Sequence, residues 1–319
     1  RFPSPGETAQ PAAALPEPGM PEILEEQRLS DRTTRYRLSS ELVPAEQTQD
    51  GPSAVVTLPR DYDETRDYPV VYLLTGTDAG ASPRDWYDRA ALEDSLGDLQ
   101  AITVALDDGA YGWYTDWTGP TSQPQGWRTH HLEEVLPWVD QRYPTIASPE
   151  GRAVVGASAG GYGAMAYAED RPDLFGAAVS MSGLLSFDAT ADRKLLLGEA
   201  EAATGEGSDL FGDGQRTTRA DWESHDPSRH TQPLSGMPIW LYSGSGEEFE
   251  AQLQKTTAAF ETSAESSGAR VSTSTYEQMI EDGAPMPAGT CSAGHEWTCW
   301  SMALRSVSPQ LQEHFDRAG

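Results

Sequence analysis

The run RAVV at 152–155 passes straight into GASAGGYG at 156–163, so small residues crowd around a single serine. A buried strand that must turn at once into a helix allows no bulk at the corner, because the two backbones pass close together there. Gly156-Ala157-Ser158-Ala159-Gly160 fits G-x-S-x-G, the pattern in which a cramped strand-to-helix turn lifts the serine hydroxyl above a sheet. The pattern predicts a strand ending before Ser158 and a helix over GGYGAMAYAED, and it makes Ser158 the candidate nucleophile. A glycine-rich strand–helix loop without chemistry is the plain alternative, and the rest of the chain must decide.

The flanking sequence supplies the required context. YPVVYLL (68–74) and AITVAL (101–106) are continuous apolar, β-rich runs suited to buried parallel strands, with the helical WYDRAALEDSL between them. TRYRLSSEL and SAVVTLP read as an antiparallel pair at one edge. WRTHHLEEVLPWVDQRY carries Leu132, Val135, Leu136 and Val139 at helical spacing, with Pro137 expected to bend or interrupt it. GAAVSMSG, GMPIWLYSGS (236–245) and ARVSTSTYEQ give three further strands, and EEFEAQLQKTTAAFETSAESSG gives a helix closed at Gly268. Strands alternating with helices imply a mostly parallel central sheet with helices on both faces. The polar, irregular stretch around 187–235 reads as a cap-like insertion in a single domain spanning 34–319. Residues 1–33 begin with a Pro, Ala and Glu-rich run without apolar period and read as an extended arm.

Composition excludes several functions. The 50 acidic and 22 basic side chains give a formal charge of −28, which repels phosphate backbones and argues against nucleic-acid binding. No apolar run reaches the ~18 residues of a transmembrane helix. The first residues do not form a signal peptide, so export would require a leader removed before this numbering begins. The two cysteines, Cys291 and Cys299, lie in TCSAGHEWTCW. A disulfide closing that short loop is expected, stabilising by about 2–3 kcal/mol, with two free thiols as the alternative. Metal binding is not expected, because the cysteines and His295 leave zinc without a fourth ligand.

A serine nucleophile needs a base. With the chain order Ser, acid, His, the histidines before Ser158 drop out: His130 and His131 lie in the helical LEEVLPW region and are read as exposed. His225 and His230 fall in the irregular segment, and His314 in a terminal amphipathic helix. His295 follows the last strand in a loop with Ala293, Gly294 and Trp297, where a base can reach the serine.

These residues carry a resemblance. Gly294-His295-Glu296-Trp297-Thr298-Cys299-Trp300 resembles the H-x-W-x-x-W signature of the antigen 85 mycolyltransferases and their esterase D-like relatives, which have an α/β-hydrolase fold. Val71-Tyr72-Leu73-Leu74 with Gly76 resembles the strand leading to that family's oxyanion loop, and Trp113-Tyr114-Thr115-Asp116-Trp117 its aromatic loop. Met181-Ser182-Gly183-Leu184-Leu185 and Asp209-Leu210-Phe211-Gly212 resemble two more of its segments, so the likeness spans roughly residues 50–316.

The resemblance implies a Ser-His-Glu triad. By ordinary position the acid follows PIWLYSG, where Glu247, Glu248 and Glu250 crowd at a helix start that the helix dipole already explains. The stretch FETSAESSG resembles the region supplying the family's glutamate, which selects Glu261 and leaves Glu250 in reserve. His295 then takes the Ser158 proton, and the backbone N–H groups of Thr77 and Ala159 hold the oxyanion. Trp113, Tyr114, Asp116, Trp117 and Trp297 are expected to line the substrate cleft, and no cofactor is called for. The chain departs from the family at Thr75-Gly76-Thr77-Asp78, which replaces its trehalose-contacting D-G-L-R, and at Ser243, which replaces a cysteine. The expectation is a secreted or cell-envelope acyltransferase, a monomer, moving a mycolyl-type acyl chain between sugar esters or glycolipids. The alternatives are a secreted carboxylesterase on acyl- or feruloyl-carbohydrate esters and an inactive carbohydrate-binding relative.

Overall fold

The computed structural model describes residues 15–49, 51–78, 81–119, 121–205, 210–212 and 218–318. Nine strands form one sheet in the order β1-β2-β3-β5-β4-β6-β7-β8-β9. They are β1 (Ile23–Arg28), β2 (Thr33–Leu38), β3 (Ser53–Thr57), β4 (Val70–Leu74), β5 (Ile102–Leu106), β6 (Arg152–Ala157), β7 (Ala177–Met181), β8 (Pro238–Ser243) and β9 (Arg270–Thr275). The pairs β1–β2, β2–β3 and β3–β5 are antiparallel, and β4 to β9 run parallel to one another. Every residue of β4, β5, β6 and β7 is buried. Helices cover both faces of these strands, so their side chains find apolar partners in either direction.

Alternation along β4 assigns the two cores. Val70, Tyr72 and Leu74 face one layer, with Tyr162 and Met165 of α5 (Ala159–Asp170) and Leu253 and Phe260 of α8 (Glu248–Ser266). Val71 and Leu73 face the other, with α1 (Asp85–Arg89), α2 (Leu92–Leu96), α9 (Tyr276–Glu281) and α10 (Trp297–Ala318). In α10, Trp300, Leu304, Val307, Leu311 and Phe315 form the buried stripe that helical spacing requires.

Two expectations need correction. The arm does not extend to residue 33: Ile23–Arg28 is the outermost strand, paired to β2. Its six residues are all exposed, so ILEEQR lacks the two-residue apolar period that marks a half-buried strand. Residues 1–14 of that arm, and Asp209, lie outside the described residues. At Pro137 the α-helical pattern is interrupted without the helix ending. α3 (Trp127–Thr129) continues through a π-helical segment, His130–Val135, into α4 (Leu136–Arg142), and the widened turn lies just ahead of the proline. His130 and His131 are buried, bonded to Glu134 at 2.7 Å and to the Tyr167 hydroxyl at 2.9 Å. The segment around 187–235 contains α6 (Thr190–Thr204) and α7 (Arg219–His225).

Candidate active site

The parallel strands end on one side of the sheet, and their next residues build the site. After β6, Ser158 occupies the corner with φ 55° and ψ −121°, a backbone region that costs a non-glycine residue about 1–3 kcal/mol. Glycine is required around it by contact: a Cβ on Gly156 would strike the Gly160 backbone, and one on Gly160 the carbonyls of Leu74 and Thr75. Gly76, after β4, comes as close, since its Cβ would stand 3.1 Å from that of Ser158.

The Ser158 hydroxyl lies 2.8 Å from His295 Nε2. His295 Nδ1 lies 2.8 Å from Glu250 Oε2. An ionised carboxylate only accepts, so the ring proton sits on Nδ1 and Nε2 is left to accept from serine. Edge-to-face contacts with Phe249, at 4.9 Å, and Trp300, at 5.0 Å, hold the imidazole plane. The loop carrying it docks on the β8–α8 turn: Glu247 Oε1 accepts from the His295 amide at 2.9 Å, and the Ala293 carbonyl from the Gly246 amide at 3.0 Å. A disulfide joins Cys291 and Cys299 across this loop. The cluster Cys291, Glu296 and Cys299 has ligand-type atoms in proximity, but both sulfurs are committed to the disulfide and Glu296 Oε1 accepts from Ser292.

Glu261 is not beside the histidine. It sits three helical turns further along α8 and accepts from the Thr273 hydroxyl at 2.7 Å. Glu250 occupies the position expected of it, fully buried in the first turn of α8. Its Oε1 accepts from the Gly244 amide at 3.1 Å and from Ser182 Oγ at 2.7 Å. Ser182 follows β7 with φ 54°, and the Trp300 indole N–H donates to its oxygen at 3.0 Å. The Tyr276 hydroxyl is 2.8 Å from that oxygen. Since Ser182 spends its one proton on Glu250, Tyr276 is the donor there. This polar strut went unread in the sequence, although Ser182 lies inside the M-S-G-L-L match.

Aspartates after β5 fasten the opposite wall. Asp108 Oδ2 accepts from the Trp113 amide at 2.6 Å, and the Thr77 hydroxyl hydrogen-bonds to the same carboxyl. Thr77 Oγ1 also accepts from the Tyr111 amide at 2.9 Å, which fixes the loop bearing the Thr77 N–H. Burial, then the neighbouring Asp107, pushes the Asp108 carboxyl well above its ordinary range. Burial likewise pushes Asp107 up to about 7.

Two cavities meet at Ser158. A polar cleft of about 430 Å³ is lined by His295, Trp297, Trp300, Asp78 and Arg89, the last stacked on Trp297. A slot of about 20 Å³ lies on the other side, lined by Thr77, Trp113, Leu184, Leu195, Glu199, Phe249 and Leu253. Trp297 and Trp113 border these cavities, whereas Tyr114, Asp116 and Trp117 do not. Tyr114 is buried with its hydroxyl on the Thr75 carbonyl, and the Trp117 indole donates to the Gly112 carbonyl. Asp116 accepts from Thr129, and with Tyr114 it borders a separate cavity of about 530 Å³ beside Arg128 and Glu169. The aromatic loop folds inward because its rings pack on α5, where Trp113 meets Tyr162 and Tyr114 meets Tyr167.

A mostly parallel sheet with helices on both faces, carrying a serine–histidine–glutamate chain above its strand ends, defines an α/β-hydrolase. The chain belongs to the family described as "Putative esterase", whose model matches residues 45–311. It is similar to Esterase Rv1288 of Mycobacterium tuberculosis (strain ATCC 25618 / H37Rv), 37% identical over 135 residues, 41% of this chain and 29% of that one. It is also similar to the diacylglycerol acyltransferase/mycolyltransferase Ag85A of Mycobacterium leprae (strain TN), 26% identical over 269 residues, 77% of this chain and 75% of that one. The crystal structure of Mycobacterium tuberculosis MPT51 shares the fold, with TM-score 0.63 and 22% identity over 86% of this chain and 97% of that one.

Proposed function

We propose that this chain is a serine esterase or acyltransferase that takes the acyl group of an ester of a polyhydroxy alcohol onto Ser158. The observation that carries the reading is the unbroken hydrogen-bond chain Ser158–His295–Glu250, with 2.8 Å at each step. His295 Nε2 removes the serine proton as Oγ attacks the ester carbonyl, and buried Glu250 stabilises the imidazolium that forms. The N–H groups of Ala159, in the unpaired first turn of α5, and of Thr77 receive the oxyanion. The imidazolium then returns its proton to the leaving alkoxide. Water, or a second hydroxyl, repeats the sequence in reverse to release the acyl group.

The polar cleft supports the alcohol class. Asp78, Arg89, Glu296 and Thr298 offer charged and hydroxyl partners beside the flat face of Trp297, a combination suited to a sugar. The similarity to an acyltransferase and to an esterase favours the same chemistry with either acceptor. The Cys291–Cys299 disulfide favours an exported protein working in an oxidising compartment.

The test is turnover of p-nitrophenyl acetate with and without added sugar, followed by mass spectrometry of the intact protein. The expected result is turnover with an acyl adduct on Ser158, both lost in Ser158→Ala by several orders of magnitude. Acyl sugar among the products marks a transferase and its absence an esterase. Undiminished turnover by Ser158→Ala would overturn the assignment.

A further inference from the structure

The two cavities at Ser158 differ in size and in their access to the histidine. Collapse of the tetrahedral intermediate requires His295 Nε2 to hand its proton to the departing oxygen, so the alcohol must leave on the side that His295 lines. That side is the 430 Å³ cleft. The slot shares Ser158 and Thr77 with it but is not bordered by His295, which leaves it for the acyl chain.

At about 20 Å³ the slot is about twentyfold smaller than the cleft, so it suits a small acyl group better than an alkyl chain. Its walls are fixed from several directions. Trp113 comes from the loop after β5, Leu184 from beyond β7, and Phe249 and Leu253 from the first turns of α8. A further wall comes from α6, which contributes Leu195 and Glu199 one helical turn apart. Glu199 is tied down there, its Oε2 accepting from the Trp113 indole N–H at 2.9 Å. A longer acyl chain would have to displace Leu195 or break this bond, and it would lay methylene groups against a carboxyl group.

We infer that Ser158 accepts a short acyl group of acetyl size, and that Leu195 and Glu199 of α6 determine this limit. The inference rests on the esterase or acyltransferase reading and names its acyl substrate. It gives the mycolyl-type chain no place in this arrangement of α6.

The experiment is a chain-length series of p-nitrophenyl esters, from acetate through butyrate to octanoate, with the full chain and with Leu195→Ala and Glu199→Ala. We expect kcat/KM to fall about tenfold or more from acetate to octanoate, since a slot without room rejects added methylenes. In both variants the octanoate-to-acetate ratio of kcat/KM should rise, and the Ser158 adduct seen by mass spectrometry should shift toward the longer acyl group in competition. Trp113→Phe, which keeps the ring and removes the indole donor, should raise the ratio as well. A wild-type preference for octanoate would overturn the inference while leaving the esterase reading intact. So would an unchanged ratio in three variants that still turn over acetate. Absence of turnover with every ester would overturn both.

Discussion

Glu250 has no solvent-accessible surface, yet every polar contact it needs is present. One oxygen faces His295, and the other receives the Gly244 amide and the Ser182 hydroxyl. Such donors offset the cost of burying a polar group and aim its other oxygen at His295, which is the arrangement for stabilising an imidazolium. Glu250→Gln should therefore lower kcat about 10³–10⁴-fold with little effect on KM, the pattern of a histidine that has lost its orienting charge. Glu261→Gln should leave kcat/KM within about twofold, because that side chain holds only Thr273. Steady-state kinetics on one ester separates the two glutamates, and the opposite ranking would return the role to Glu261. Ser182 is a positioning residue in this scheme. Ser182→Ala leaves the Trp300 and Tyr276 donors unpaired in the interior, so unfolding stability should fall by about 1–3 kcal/mol, read by denaturant titration.

At the scale of elements, successive strands each deliver one component of the site. β4 ends in the Gly76–Thr77 loop, β5 in Asp107 and Asp108, β6 in Ser158, β7 in Ser182, and β8 in the turn leading to Glu250. Parallel register places these ends at one level, so components remote in sequence become neighbours without long side chains. His295 is the exception, because it rides on a loop. The disulfide closing that loop and its contacts with the β8–α8 turn do for it what the sheet does for the others. Converting both cysteines to serine should lower stability by about 2–3 kcal/mol and reduce kcat more than it raises KM. Both sulfurs are joined in the disulfide, so thiol reagents should leave the native, unreduced protein unmodified. An unchanged unfolding midpoint in the double variant would show that packing alone holds the loop.

For the molecule as a whole, the net charge of −28 coexists with acidic groups in the interior. Asp107 is 4% exposed, and burial, partly offset by the Gly109 amide, pushes its carboxyl up to about 7. In the unfolded chain the same group titrates near ~3.9. Between those values the folded state holds a proton that the unfolded state has released, so the contribution to stability falls as pH rises from about 4 to about 7. The unfolding midpoint should accordingly be higher at pH 5 than at pH 8, and Asp107→Asn should narrow that difference. A difference of the same size in the variant would exclude Asp107 as its source.

The features legible in the sequence were those set by local sterics and short periods. The small residues around Ser158 follow from two backbones crossing, and the unbroken apolar runs of β4 to β7 follow from burial on both faces. The Cys-x7-Cys spacing around His295 is likewise a local constraint. Edge strand β1 was illegible because an exposed edge needs no apolar alternation, and the buried His130 and His131 because a histidine carries no mark of its partners. The choice of glutamate shows the limit most clearly. Glu250 and Glu261 are eleven residues apart, about three turns and ~16 Å along α8, so helical periodicity puts both on the same face. No local pattern distinguishes them. The distinction comes from the position of α8 along the sheet, which sets its first turn beside the β8 end and the His295 loop and its later turns beside β9. That position is fixed by the packing of Leu253 and Phe260 into the core, contacts between parts of the chain far apart in sequence.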